Sequence, residues 1–188
     1  VIPGVPELFE KGVEMGKNII LTGFMGTGKS SIGTKLAERL NREFVDMDRE
    51  IEKLTGMTIS QLFRRYGEVR FRSEEKLMAK KLAGKRDLVV ATGGGVVLDQ
   101  ENIQVLRENG IVVCLVADPE EIFQRVSRKK GTRPLLKKNL TVDDIIAMLE
   151  ERKPFYENAD YVVETSGRSI DSVVDDIINR LSQESGVL

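Results

Sequence analysis

Histidine is missing from this sequence altogether, and cysteine occurs once, as Cys114. Without an imidazole no serine–histidine triad can be built, and a single thiol supplies neither a structural zinc site nor an intrachain disulfide. Cys114 lies in the apolar run "IVVCLV" and reads as a small buried hydrophobe of a strand. No apolar stretch approaches the roughly 18 residues of a membrane span. An excess of one charge is lacking too: 29 Lys and Arg stand against 30 Asp and Glu, for a formal charge of −1. That balance offers no bulk attraction to nucleic acid or an anionic membrane, so an anionic ligand must be gripped by locally placed Arg and Lys. The opening "VIPGVPELFEKGVEMGKN" has no basic end leading into an apolar run and is not read as a signal peptide. Its Pro and Gly residues suggest a loose arm over 1–17. The expectation is one soluble, cytoplasmic domain with neither nucleic acid nor membrane as partner.

Apolar residues at 19–21 form a short strand that ends at Gly23. From Lys29 the period changes, with Ile32, Leu36 and Leu40 on one helical face beside Gly33 and Ala37. "EFVDMD" (43–48) reads as a second strand. Helical stretches are expected over 49–54, 58–65 and 68–83, the last with Phe71, Leu77 and Met78 among charged residues. Leu88 to Ala91 is a third strand, followed by "GGG" at 93–95. Residues 99–109 look helical, with Gly110 as their stop. Strand 111–116 is apolar throughout, as a strand covered on both faces should be. Helix 119–128, capped by Asp118 with Pro119 in its first turn, leads into the basic segment "RKKGTRPLLKKN". Helix 141–157, strand 161–163 and helix 170–182 complete the chain. Alternating strands and helices predict an α/β domain with a parallel sheet covered on both sides.

Residues 23–30, "GFMGTGKS", fit the pattern G-x-x-x-x-G-K-S/T between a strand and a helix. Gly23, Gly26 and Gly28 let the chain curl with amides inward, and the next helix adds its unsatisfied N–H groups. Lys29 can reach the β- and γ-phosphates, and the Ser30 hydroxyl can join a Mg²⁺ shell. The loop predicts a nucleoside triphosphate site. A regulatory GTPase would need N-K-x-D, which does not occur, and the apolar strand that an oligomeric ATPase ends in Asp ends here in "ATGGG". A compact kinase fits best.

Asp46 and Asp48 follow a strand on the side where ligands of an open α/β sheet bind. If both stay extended, both carboxylates share one side of the strand, one for Mg²⁺ and one for an attacking hydroxyl; the other reading of Asp48 is a helix cap. Arg72 has Glu75 one turn on, close enough to fix its guanidinium. The glycines at 93–95 point to a close approach of ligand to backbone, or to a plain turn. In helix 141–157 the apolar stripe Ile145, Met148, Leu149 continues into Arg152 and Tyr156. An arginine there needs a carboxylate, either structural or belonging to a ligand. The segment 128–139 suits a mobile flap, or an ordinary solvated loop, and Arg133, Arg125 or Arg128 could swing over the phosphates.

Taken in order, "GFMGTGKS", "FVDMD", "FRSEE", "ATGGG", "TRPLL" and "ERKPFYENAD" resemble the shikimate kinase family, over about Asn18 to Leu181. The resemblance implies a three-layer α/β/α P-loop fold with five parallel strands in order 2-3-1-4-5. It further implies a helical substrate-binding subdomain over 49–82 and a lid over 125–139. It implies ATP contacts from Gly26, Thr27, Gly28, Lys29, Ser30 and Ser31, with Ser30 and Asp46 serving Mg²⁺. Asp48 would bind ring hydroxyls of shikimate as the candidate base. Arg72 and Arg152 would clamp its carboxylate, and Gly93, Gly94 and Gly95 would line the site. Arg133 would reach both substrate and phosphate, and Arg125 would meet ATP, with Arg128 as its competitor. Arg168 would fall in the adenine loop, here without the proline usual beside it. The implied reaction is ATP-dependent phosphorylation of the shikimate 3-hydroxyl by a monomer. Rival readings are a kinase of the same fold acting on gluconate or a nucleotide, and an ATP-dependent switch without transfer.

Overall fold

A computed structural model of the chain describes residues 16–128 and 140–184. Most of the expected arm, and positions 129–139 of the expected lid with Arg133, lie outside the described residues. At the start of the described chain, Gly16 donates its N–H to Asp87 Oδ1 (2.8 Å).

The middle of the sheet is β1 (Asn18–Thr22), buried along its length. It runs parallel to β3 (Leu88–Ala91) on one side and β4 (Gly110–Val116) on the other. Outside these lie β2 (Glu43–Asp46) and β5 (Tyr161–Glu164), both parallel to their neighbours. The order β2-β3-β1-β4-β5 is the one expected. Side chains alternate across a strand, so the three inner strands each feed two cores. Ile19 and Leu21 join Val89 and Val113 under α1 (Lys29–Leu40) and α7 (Ile170–Glu184). Ile20, Val90, Val112 and Cys114 face the other layer. That layer is built from α3 (Ile59–Ala83), α4 (Gln100–Arg107), α5 (Pro119–Ser127) and α6 (Val142–Tyr156). Among the described residues no helix is long and apolar enough to cross a membrane.

Several sequence expectations change, while the two stretches expected on either side of residues 66–67 keep their break. The extended reading of 43–48 stops at Asp46, because Met47–Thr55 is a helix, α2. Met47 and Ile51, on one face of that helix, are fully buried, and this burial outweighs the alternation of "FVDMD". Asp46 is its cap, accepting from the Arg49 N–H (3.4 Å), so the capping role falls to Asp46 rather than Asp48. The two carboxylates therefore do not share one side of a strand. The stretches 58–65 and 68–83 form α3, which Gly67 breaks with non-helical angles (φ 78°, ψ 179°). Within it Phe71 and Met78 are buried while Leu77 points outward. Asp118 stands at the start of α5, but its side chain makes no capping bond; Pro119 opens the helix as expected.

Gly110 does not stop a helix; it is the first residue of β4, paired with Asn18. A Cβ there would lie 2.6 Å from the Leu106 carbonyl oxygen and 2.9 Å from Ile20 Cγ1. The glycine is required by close packing of α4 on the sheet. Gly110→Ala should therefore lower unfolding stability by about 1–3 kcal/mol through overpacking, read as a lower urea midpoint at unchanged slope. An unchanged midpoint would show that α4 shifts freely.

Candidate functional site

The phosphate loop leaves β1 at its C-terminal end and enters α1. Gly23, Gly26 and Gly28 all take positive φ (129°, 86° and 97°). At Gly23 an added Cβ would collide with the Leu115 carbonyl. Lys29 curls back under the loop, its ammonium donating to the carbonyls of Gly23 (2.7 Å) and Phe24 (2.9 Å). Thr27 Oγ1 adds a bond to the Phe24 carbonyl (2.8 Å). Ser30, in the first turn of α1, donates its hydroxyl to Asp46 Oδ2 (2.8 Å), which joins the loop to the end of β2. Two oxygen donors so placed suit a hard divalent cation.

A cleft of about 510 Å³ runs along this loop. Asp46, Asp48 and Gly94 line one end of it, Thr165 and Arg168 the other, with Ser31, Arg125 and Arg128 also on its walls. Both competing arginines of the α5 end thus reach the cleft. Arg125 is fastened, donating to the Gly26 carbonyl (3.1 Å) and paired with Glu121. Arg128 is exposed. Arg168 is drawn toward α7, where it bonds Asp176 Oδ2 (2.9 Å) and Ser172.

Beyond Asp48 the glycine run meets α2 and α3. A Cβ on Gly93 would stand 2.7 Å from Asp48 Oδ1 and 2.9 Å from Glu75 Oε1, and one on Gly95 would strike the Arg72 guanidinium. The run also opens a 3₁₀ turn, with the Val96 N–H bonded to the Gly93 carbonyl (3.2 Å). Bareness at 93–95 thus admits three charged side chains and starts a turn, which joins the two sequence readings. Arg72 donates to Glu75 Oε2 (2.6 Å) and to Glu68 Oε1 (2.9 Å). The fixing of Arg72 by Glu75 is as expected.

Arg152 has no carboxylate partner among the described residues. Its guanidinium lies 5.3 Å from the centroid of the Phe24 ring, in the phosphate loop, and close enough to the Tyr156 phenol to act on it electrostatically. Tyr156 in turn donates to the Gly94 carbonyl (3.1 Å). Burial pushes its phenol up to about 12, so it keeps the proton it donates. Burial likewise raises the Cys114 thiol to about 11, leaving it inert. Sequence reasoning did not place Tyr156 in the site beyond its stripe position, nor did it single out Glu121. The spacing of four between Glu121 and Arg125 was the available signal.

Glu75 is 1 % exposed, and its Oε1 has no hydrogen-bond partner. Burial raises its carboxyl to about 7, against the Arg72 bond and with help from Asp48 and Glu68. The folded pKa exceeds the unfolded one near 4.5, so the protonated carboxyl contributes stability in full below about 4.5. That contribution is lost as pH rises through about 7. Glu75→Gln cannot titrate, so the melting temperature of the parent should fall relative to this variant between pH 5 and pH 8. Parallel melting curves across that range would show that Glu75 is ionised throughout.

A family model described as shikimate kinase matches residues 25–182. The shikimate kinase of Pelotomaculum thermopropionicum is 52 % identical over 90 % of this chain and 98 % of its own. That of Thermoanaerobacter pseudethanolicus is 46 % identical over 86 % and 94 %. Among solved structures, the shikimate kinase of Acinetobacter baumannii in complex with shikimate superposes with a TM-score of 0.85, at 38 % identity over 92 % of this chain and 96 % of that one. A gluconokinase from Sinorhizobium meliloti shares the fold, at 18 % identity and TM-score 0.60 over 90 % and 93 %. With the model spanning most of the chain and such identities over some nine-tenths of it, the chain belongs to the shikimate kinase family.

Proposed function

We propose that this protein transfers the γ-phosphoryl group of ATP to the 3-hydroxyl of shikimate, giving shikimate 3-phosphate and ADP. The observation that carries this reading is one continuous cleft with the phosphate loop on its floor and Asp48 and Gly94 at one end. Arg72 and Arg152 stand behind that end, through their contacts with Gly95 and Phe24. Loop amides and Lys29 hold the triphosphate, with Gly26 to Ser31 as its contacts. Ser30 and Asp46 hold Mg²⁺, which neutralises phosphate charge when bound. Phosphoryl transfer leaves the protein mainly positioning and charge compensation to do. Asp48 orients the acceptor hydroxyl and takes its proton. Arg72 and Arg152 grip the acceptor carboxylate beside Gly93 to Gly95. Arg125 and Arg168 serve the nucleotide, and Arg133, which lies outside the described residues, is assigned by the resemblance alone to the transferring group. Residues 49–82 form the acceptor subdomain of a cytoplasmic monomer.

A coupled assay for ADP tests this directly. Release should depend on shikimate and not respond to gluconate; release indifferent to shikimate would overturn the reading. Asp48→Asn should lower kcat by about 10²-fold or more with little change in KM for shikimate, as removal of a general base does. A rise in KM at preserved kcat would instead make Asp48 a binding group.

A further inference from the structure

The nucleotide end of the cleft has two walls that belong to elements far apart in sequence. One is the phosphate loop; the other is the segment 165–169 that links β5 to α7. Helix α5 lies beside both, and one of its side chains meets the second wall directly and the first through Arg125. Glu121 pairs through Oε2 with Arg125, whose Nη1 donates to the Gly26 carbonyl (3.1 Å). Its other oxygen, Oε1, accepts from the Gly167 N–H (2.8 Å), 46 residues on in the chain. Gly167 takes φ 65°, and its neighbours Thr165 and Arg168 line the cleft. A second bond beside it, from the Asp118 N–H to Ser166 Oγ (2.6 Å), holds the same segment to the start of α5. Both Glu121 oxygens are therefore engaged, one toward each wall.

We infer that Glu121 is a positioning residue that sets the spacing between the phosphate loop and the 165–169 wall, and so governs binding of the nucleoside end of the nucleotide. A neutral bond at either oxygen could be replaced by solvent at small cost. A carboxylate bonded to a guanidinium through one oxygen and to a backbone amide through the other makes two charge-assisted contacts. The phosphate loop has its own supports in Lys29 and Thr27, so it keeps its curl without Glu121. The 165–169 wall keeps Arg168 on α7 through Asp176. What Glu121 adds to the Asp118–Ser166 bond is a charged link from the 165–169 wall through Arg125 to the phosphate loop. A ligand that spans both walls feels the loss, and one that sits only on the loop does not.

The inference rests on the nucleotide half of the proposed function, and direct binding measurements keep the two separable. Titration calorimetry on the full chain should show Glu121→Ala weakening Mg–ADP by about tenfold, the scale of one lost charge-assisted bond. Affinity for tripolyphosphate and for shikimate should each stay within about threefold, a span of under 1 kcal/mol. Glu120→Ala removes an equal charge from an exposed position on the same helix and should leave Mg–ADP affinity unchanged. Should the alanine variant unfold, Glu121→Gln is read instead; its one carbonyl oxygen can hold one wall only, and Mg–ADP should weaken with tripolyphosphate preserved. Unchanged ADP affinity, or equal losses for ADP and tripolyphosphate, would overturn the inference. Failure of the parent to bind shikimate would count against the acceptor assignment and leave the Glu121 result intact.

Discussion

The Lys29 ammonium, bonded to the Gly23 and Phe24 carbonyls, closes the phosphate loop on itself, and the site is arranged around that closure. The loop begins where β1 ends, and β1 is the central strand of a sheet whose strands all run parallel. Parallel strands bring their C-terminal ends to one edge, so Asp46 after β2, the glycines after β3 and Val116 before α5 arrive beside the loop by topology. Phe24 then serves twice: its carbonyl takes Lys29 and its ring carries Arg152. The phosphate loop and the proposed acceptor end meet at that one residue.

Features whose meaning is local were legible in the sequence. Gly23, Gly26, Gly28 and Lys29 encode a backbone path directly, because positive φ is readily open to glycine. Arg152 stood out because a charged residue interrupted a periodic apolar stripe, and among the described residues no carboxylate pairs with it. Strand order followed from the resemblance, and the gap between the helical stretches 58–65 and 68–83, where Gly67 breaks the helix, from the residue pattern. Asp48 was misplaced because alternation and helical period both fit a run of six residues; burial of Met47 and Ile51 decides between them, and that is a tertiary fact. Gly110 was misread for the same kind of reason. A glycine after a helix looks like a stop whether it turns the chain or merely makes room for the Leu106 carbonyl.

Contacts between distant segments were not legible. Glu121 and Gly167 meet across the edge of the sheet, and the only local trace is the i,i+4 spacing to Arg125. The solitary Oε1 of Glu75 is likewise invisible without the fold, since it depends on α3 pressing against Gly93. A bare glycine and a buried carboxylate, each unremarkable alone, become informative once they face each other.

The two arginines of the acceptor end are not equivalent in charge. Arg72 shares its guanidinium with Glu68 and with Glu75, whose raised carboxyl is charged mainly above about pH 7, so part of its field is cancelled by neighbours within hydrogen-bond range. Arg152 faces an aromatic ring and a hydroxyl, both of which polarise toward a cation and neither of which carries compensating charge. In a chain with a formal charge of −1, long-range attraction contributes little, so selection for an anionic acceptor rests on local imbalance. Of the two, it is Arg152 that has no carboxylate beside it among the described residues. Arg72, held on two sides by carboxylates, contributes a preset direction for hydrogen bonds, and Arg152 contributes the uncompensated charge that an acceptor carboxylate would neutralise.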